Sequence, residues 1–148
     1  MSVGSEWLVD AEGCSAERLR DVDAIRVLCE EVVAELGLRV VGVPQWHKFP
    51  PPGGVTGLYL LAESHLACHT YPERGAASIN LYCCRPRPAF AWDERLRESL
   101  GATRVTVRLV DRGCAMAEVM LCDRAAENRD GNQEDDEDPA CDRDLVAP

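Results

Sequence analysis

No stretch of the sequence approaches the roughly 18 apolar residues that a membrane helix requires. Met1-Ser2-Val3-Gly4-Ser5-Glu6 also lacks the basic and apolar segments of a secretory leader. These absences predict a soluble, cytoplasmic protein. An excess of positive charge is missing too: the formal net charge is −10, so nothing suggests a surface for phosphate backbones, and nucleic acid is not an expected partner. Eight cysteines are present, yet no Cys-x-x-Cys pair occurs among them. Several fall inside apolar helical or strand patterns, which fits buried reduced thiols better than a secreted disulfide scaffold. Cys14, Cys29, Cys114 and Cys122 read as small core hydrophobes, and Cys141 as an exposed residue. No internal repeat is visible.

The negative charge is unevenly placed. Residues 125–148 hold nine acids against Arg129 and Arg143, so this segment carries −7 of the −10. It has no aromatic residue and too little apolar surface to offset chain entropy, which predicts a disordered tail. Residues 1–124 remain as one domain, with 46% hydrophobic residues in the whole chain to build a core.

Within that domain Leu19, Val22, Ile25, Leu28, Cys29, Val32, Val33 and Leu36 recur at spacings of three and four, predicting one long helix over Ala16–Leu36 that stops at Gly37. A shorter helix is expected over Phe90–Leu100, with Leu96 and Leu100 inward and Gly101 after its end. The segments Arg39–Val43, Val55–Ala62, Leu66–Thr70, Ala77–Tyr82, Arg104–Val110 and Ala115–Leu121 are short and rich in β-branched or aromatic residues, so they read as strands. Pro50-Pro51-Pro52-Gly53-Gly54 reads as a loop. This order predicts an α+β fold: a two-layer sandwich, with an antiparallel sheet and helices packed on one face.

Chemistry concentrates in Glu63-Ser64-His65-Leu66-Ala67-Cys68-His69-Thr70-Tyr71-Pro72-Glu73 and in the following Ala77 to Cys84. On a strand His65, Ala67 and His69 share one face, while Ser64, Leu66, Cys68 and Thr70 share the other. A serine near two histidines suits nucleophilic chemistry, although the same residues also fit a structural strand. Zinc needs weighing because His65, Cys68, His69, Cys83 and Cys84 are suitable ligand types. The pleat turns Cys68 away from the histidines, so no metal is expected.

The segment resembles the prokaryotic S-adenosylmethionine decarboxylase proenzyme family. Glu63-Ser64-His65, His69-Thr70, Tyr71-Pro72-Glu73 and Cys84 occupy the family's hallmark positions without a gap, and weaker similarity covers roughly residues 7–112. The resemblance implies self-cleavage between Glu63 and Ser64, giving a β chain of residues 1–63 and an α chain of residues 64–148. The α chain would begin with a pyruvoyl group made from Ser64, the only cofactor implied, which forms a Schiff base with the substrate amine. It also implies that His69 assists processing and that Cys84 donates the proton after carbon dioxide leaves, with adjacent Cys83 as its competitor. Thr56 stands where a processing serine is usual, and His65 is a candidate for support beside the cleavage bond. Glu73 matches a substrate-binding carboxylate, and Phe49 and Tyr71 are candidate surfaces for adenine or a sulfonium cation. His47 reads as structural.

Some positions depart from the family pattern. Tyr71 replaces tryptophan, Arg74 and Ala76 stand where aromatics are frequent, Asn80 replaces aspartate and Cys83 replaces threonine. They touch the pocket rather than the cleavage machinery, which keeps ornithine or arginine open as substrates beside S-adenosylmethionine. An inactive regulatory homologue is the third reading. The implied assembly is a homodimer acting on a small molecule, the product being decarboxylated S-adenosylmethionine for spermidine synthesis.

Overall fold

The computed structural model of the chain describes residues 3–113. The strand expected over Ala115–Leu121, the thiols Cys114, Cys122 and Cys141, the domain end at residue 124 and the acidic segment 125–148 lie outside the described residues.

Six strands form one antiparallel sheet: β1 (Gly4–Glu12), β2 (Gln45–Lys48), β3 (Val55–Leu61), β4 (Ser64–Tyr71), β5 (Ala76–Cys83) and β6 (Arg104–Arg112). Their spatial order is β2-β3-β4-β5-β1-β6. Three helices, α1 (Ala16–Arg20), α2 (Val22–Glu35) and α3 (Trp92–Leu100), complete the α+β fold. Alternation along the strands separates two faces. Trp7, Val9, Leu66, Cys68, Ile79 and Leu81 point to one side and are buried in a single core with Ile25, Leu28 and Val32 of α2 and Leu96 and Leu100 of α3. Thr70 ties the layers together: its hydroxyl donates to the Leu19 carbonyl (2.7 Å) and accepts from the Val55 N–H (2.9 Å), so it is fully satisfied although buried.

The second face of the sheet carries His65, Ala67 and His69 of β4, opposite Leu60, Leu58 and Thr56 of β3. None of the described helices covers it, and Leu58 and Leu60 are 50% and 61% exposed. On the β1–β6 side this face is charged instead, with the cross-strand pairs Glu12–Arg104, Asp10–Arg108 and Glu6–Arg112.

Besides β1 and β2, which lie outside the segments read as strands from the sequence, two elements differ from the sequence reading. The long helix is broken at Asp21, whose carboxylate caps α2 by accepting from the N–H groups of Asp23 and Ala24. Leu19 and the α2 stripe face the same core, so the apolar period runs unbroken through the bend. Arg39–Val43 is not a strand but contributes only the isolated bridge Val40↔Leu61. Gly42, at φ +73°, turns the chain out of the extended region. The edge strand is β2, where the Trp46 ring lies over Gly57; a Cβ on that glycine would come within 2.6 Å of the ring.

Candidate active site

Strand β4 begins at a tight hairpin. Leu61 pairs with Ser64, leaving Ala62-Glu63 as a two-residue turn. Such turns match strand twist when their central residues have positive φ, but here neither does. The misfit appears one residue later: Ser64, at φ 150°, is the one non-glycine residue with positive φ among the described residues. A residue held in so sparsely populated a region stores roughly 1–3 kcal/mol, and here the strain adjoins the Glu63–Ser64 bond.

Around that bond, the Ser64 Oγ lies 3.0 Å from His65 Nδ1, a nucleophile–base contact. The Glu63 carbonyl oxygen accepts the Cys84 backbone N–H at 3.0 Å, which polarises the carbon that a nucleophile would attack. The Glu63 side chain is buried and accepts the Arg39 N–H (3.1 Å), with Arg87 Nη2 at 3.1 Å and Arg39 Nε at 3.6 Å. The Arg39 N–H above all, and then the Arg87 and Arg39 charges, hold its carboxyl below the usual carboxylate range. A depressed folded-state pKa stabilises the fold above the unfolded value and loses that contribution as pH falls through the folded one. Glu63→Gln in an S64A background, where no serine hydroxyl is present to attack the chain, should therefore flatten the acid limb of stability against pH. Urea unfolding between about pH 2 and pH 6 checks this.

The pleat separates the two adjacent thiols. Cys83 is fully buried on the core side, where burial pushes its thiol up, whereas Cys84 is exposed just past β5 beside the Glu63 carbonyl. The same pleat puts Cys68 in the core and His65 and His69 on the uncovered face, so these three do not converge on one point.

The remaining candidates gather at the other end of β4. Thr56 Oγ1 and His69 Nδ1 are 2.5 Å apart across the β3–β4 pair. The His69 ring meets Tyr71 (4.4 Å between centroids) and Phe49 (5.5 Å), and Phe49 meets His47 (4.5 Å). His47 thus joins an aromatic cluster that the sequence reading did not give it. Glu73 is exposed in the 3-10 turn Pro72–Arg74 that follows. Ser64 and His69 are therefore not brought together within one chain: they stand five positions apart along β4, roughly 16 Å at the rise of a strand. Between these two ends the uncovered face has a depression of about 380 Å³, bordered by Leu8, Leu58, Ala67, His69 and Asn80. The sequence reading missed Arg39 and Arg87 altogether. The only local signal for Arg87 is its place between Pro86 and Pro88.

The fold and these groups define a small helix-on-sheet protein with its reactive side chains on and beside the uncovered sheet face. The family model described as S-adenosylmethionine decarboxylase matches residues 5–113. Among curated relatives, the S-adenosylmethionine decarboxylase proenzyme of Geobacillus kaustophilus is 35% identical over 119 residues, covering 80% of this chain and 94% of its own. That of Symbiobacterium thermophilum is 38% identical over 117 residues, covering 78% and 86%. The crystal structure of the adenosylmethionine decarboxylase from Aquifex aeolicus superposes with a TM-score of 0.65 at 32% identity, covering 76% of this chain and 92% of that one. The chain belongs to the S-adenosylmethionine decarboxylase family.

Proposed function

We propose that the chain is a proenzyme that cuts itself between Glu63 and Ser64 and then decarboxylates S-adenosylmethionine. The observation that carries this is the strained Ser64 backbone, with its hydroxyl on His65 and the preceding carbonyl on the Cys84 N–H. In the first step Ser64 Oγ bonds to the Glu63 carbonyl carbon, its proton passing to His65. The Glu63–Ser64 C–N bond breaks, leaving an ester and a free amine. In the second step a base takes the Ser64 Cα proton, the Cβ–Oγ bond breaks, and Glu63 departs as a carboxylate. Water then hydrolyses the resulting enamine, through its imine, to the ketone with loss of ammonia.

The residues present fit the pyruvoyl group so formed: it would start β4 at the rim of the uncovered face, across from Cys83 and next to the exposed Cys84, whose N–H holds the Glu63 carbonyl. When present, it supplies a carbonyl that takes up the substrate amine and accepts the electron pair left by carbon dioxide. Cys84 holds the proton to be returned; Phe49 and Tyr71, beside His69 at the far end of β4, present aromatic faces to the sulfonium cation of a substrate held at the Ser64 end of the opposite protomer, an attraction of about 0.5–2 kcal/mol. Free, buried Cys29, Cys68 and Cys83 suit a reducing cytoplasm.

His69 is a fitting base for the second step, held by Thr56, but it is out of reach of Ser64 in its own chain. A homodimer removes the conflict. Two uncovered faces stacked about 10 Å apart, on a two-fold axis crossing β4 near Leu66 and Ala67, would set His69 of the partner subunit over Ser64. Such stacking also covers Leu58 and Leu60, which are exposed in the single chain.

The relatives named above are all S-adenosylmethionine decarboxylases by name, which disfavours ornithine or arginine as substrates and a purely regulatory role. Intact mass of the purified protein should give chains 1–63 and 64–148, the second labelled by a carbonyl reagent. Carbon dioxide should be released from S-adenosylmethionine and not from ornithine or arginine. A persistently single, unlabelled chain overturns the reading.

A further inference from the structure

Among the described residues, Glu63 is the one charged residue that is buried. Two guanidinium groups face its single carboxylate, but they are unequal. The Arg39 side chain is 80% exposed and 3.6 Å away, so solvent screens it. The Arg87 side chain is 19% exposed at 3.1 Å, and its Nη1 also donates to the Leu36 carbonyl at the end of α2 (3.4 Å). Pro86 and Pro88 restrict the backbone on either side of it, so the guanidinium is held by a stiff loop. Among the described residues its buried Nε–H has no hydrogen-bond acceptor, although the guanidinium also lies against the Cys83 thiol. The positive side of this cluster thus exceeds what one carboxylate requires, in both charge and donors.

Resting on the self-processing reading above, we propose that Arg87 is a positioning residue for chain scission. Held against the Glu63 side chain, its excess positive charge favours the step in which Glu63 leaves as a second carboxylate. Elimination places the electron pair of the broken Ser64 Cβ–Oγ bond on the Glu63 oxygen. Glu63 then carries two negative charges, balanced by Arg87 and Arg39. The same cluster retains the new end of the β chain against the α chain, since Arg87 belongs to the α chain and Glu63 to the β chain.

The test follows scission of freshly translated wild-type, R87Q and R87K chains by intact mass, with hydroxylamine to cleave any ester that has accumulated. Loss of one preorganised charged donor predicts that R87Q splits about 10- to 100-fold more slowly. Its unsplit fraction should be rich in hydroxylamine-labile ester, and R87K, which keeps the charge but not the planar fork, should be slowed only a few-fold. A merely structural role would lower the melting temperature without enriching the ester. If R87Q splits as fast as wild type, or slowly with no ester, the inference is overturned. Should R87Q fail to fold, R87K alone decides it: slowing by a few-fold with ester supports the inference, and the wild-type rate overturns it. A wild-type chain that never splits overturns the self-processing reading together with this one, whereas a wild type that splits beside an unaffected R87Q overturns this one alone.

Discussion

Replacing Ser64 by alanine should leave one 16.3 kDa chain of 148 residues that no carbonyl reagent labels and that releases no detectable carbon dioxide from S-adenosylmethionine. The expected loss is complete because one side chain supplies both the nucleophile and the atoms of the electrophile. Its removal cannot be shared out among neighbours in the way that loss of a supporting hydrogen bond can. Folding should survive. Among the described residues the Ser64 hydroxyl hydrogen-bonds to the exposed His65 ring alone, and alanine at φ 150° is no more strained than serine. A change of this kind away from the core costs within about 0.5 kcal/mol. Urea unfolding of S64A beside mass spectrometry separates loss of chemistry from loss of fold. A folded S64A chain that still splits after residue 63, or that turns over substrate at the unmutated rate, removes the proposed mechanism entirely.

The parts of this molecule that could be read from its letters are those where side-chain period and burial coincide. In β3, β4 and β5 the alternation is so regular that period alone places His65, Ala67 and His69 on one face, and the Gly101 stop of α3 follows from its αL conformation. The period hides what lies between elements. Leu19 and Val22 keep the helical rhythm across the Asp21 break because both short helices lie on one core, and Val40-Val41 looks like strand until Gly42 redirects it. Gln45–Lys48, mostly exposed at the sheet edge, has no apolar alternation to betray it. For the site, Glu63-Ser64 and His69-Thr70 were legible through family resemblance. Arg87 was not, since nothing in a proline-rich loop foretells that it folds back 24 residues along the chain to reach a buried glutamate. Nor could spacing alone decide whether Ser64 and His69 meet. Five positions are close in sequence, but on a regular strand they carry the two residues toward opposite ends.

That separation leads to the second large effect, which concerns which chain helps which. His69→Ala should slow scission by about 10²–10⁴-fold, the usual worth of a positioned acid–base group, and S64A abolishes it, so neither variant alone should yield a processed protein. If the Thr56–His69 pair serves the opposite protomer, a mixed dimer has one whole site: Ser64 of the H69A chain beneath His69 of the S64A chain. Co-expression in equal amounts makes about half the dimers mixed, so roughly a quarter of all chains should split, every one of them an H69A chain. The two variants differ in mass, so the parent of each fragment can be identified directly. A within-chain site predicts the opposite, because no mixture can place Ser64 and His69 on the same polypeptide, and the co-expressed sample should then stay as intact as either variant alone. Diluting wild type with an excess of the doubly altered S64A/H69A chain sharpens the contrast: scission of wild-type chains should fall with the mixing ratio if help comes from the partner, and stay constant if it comes from within.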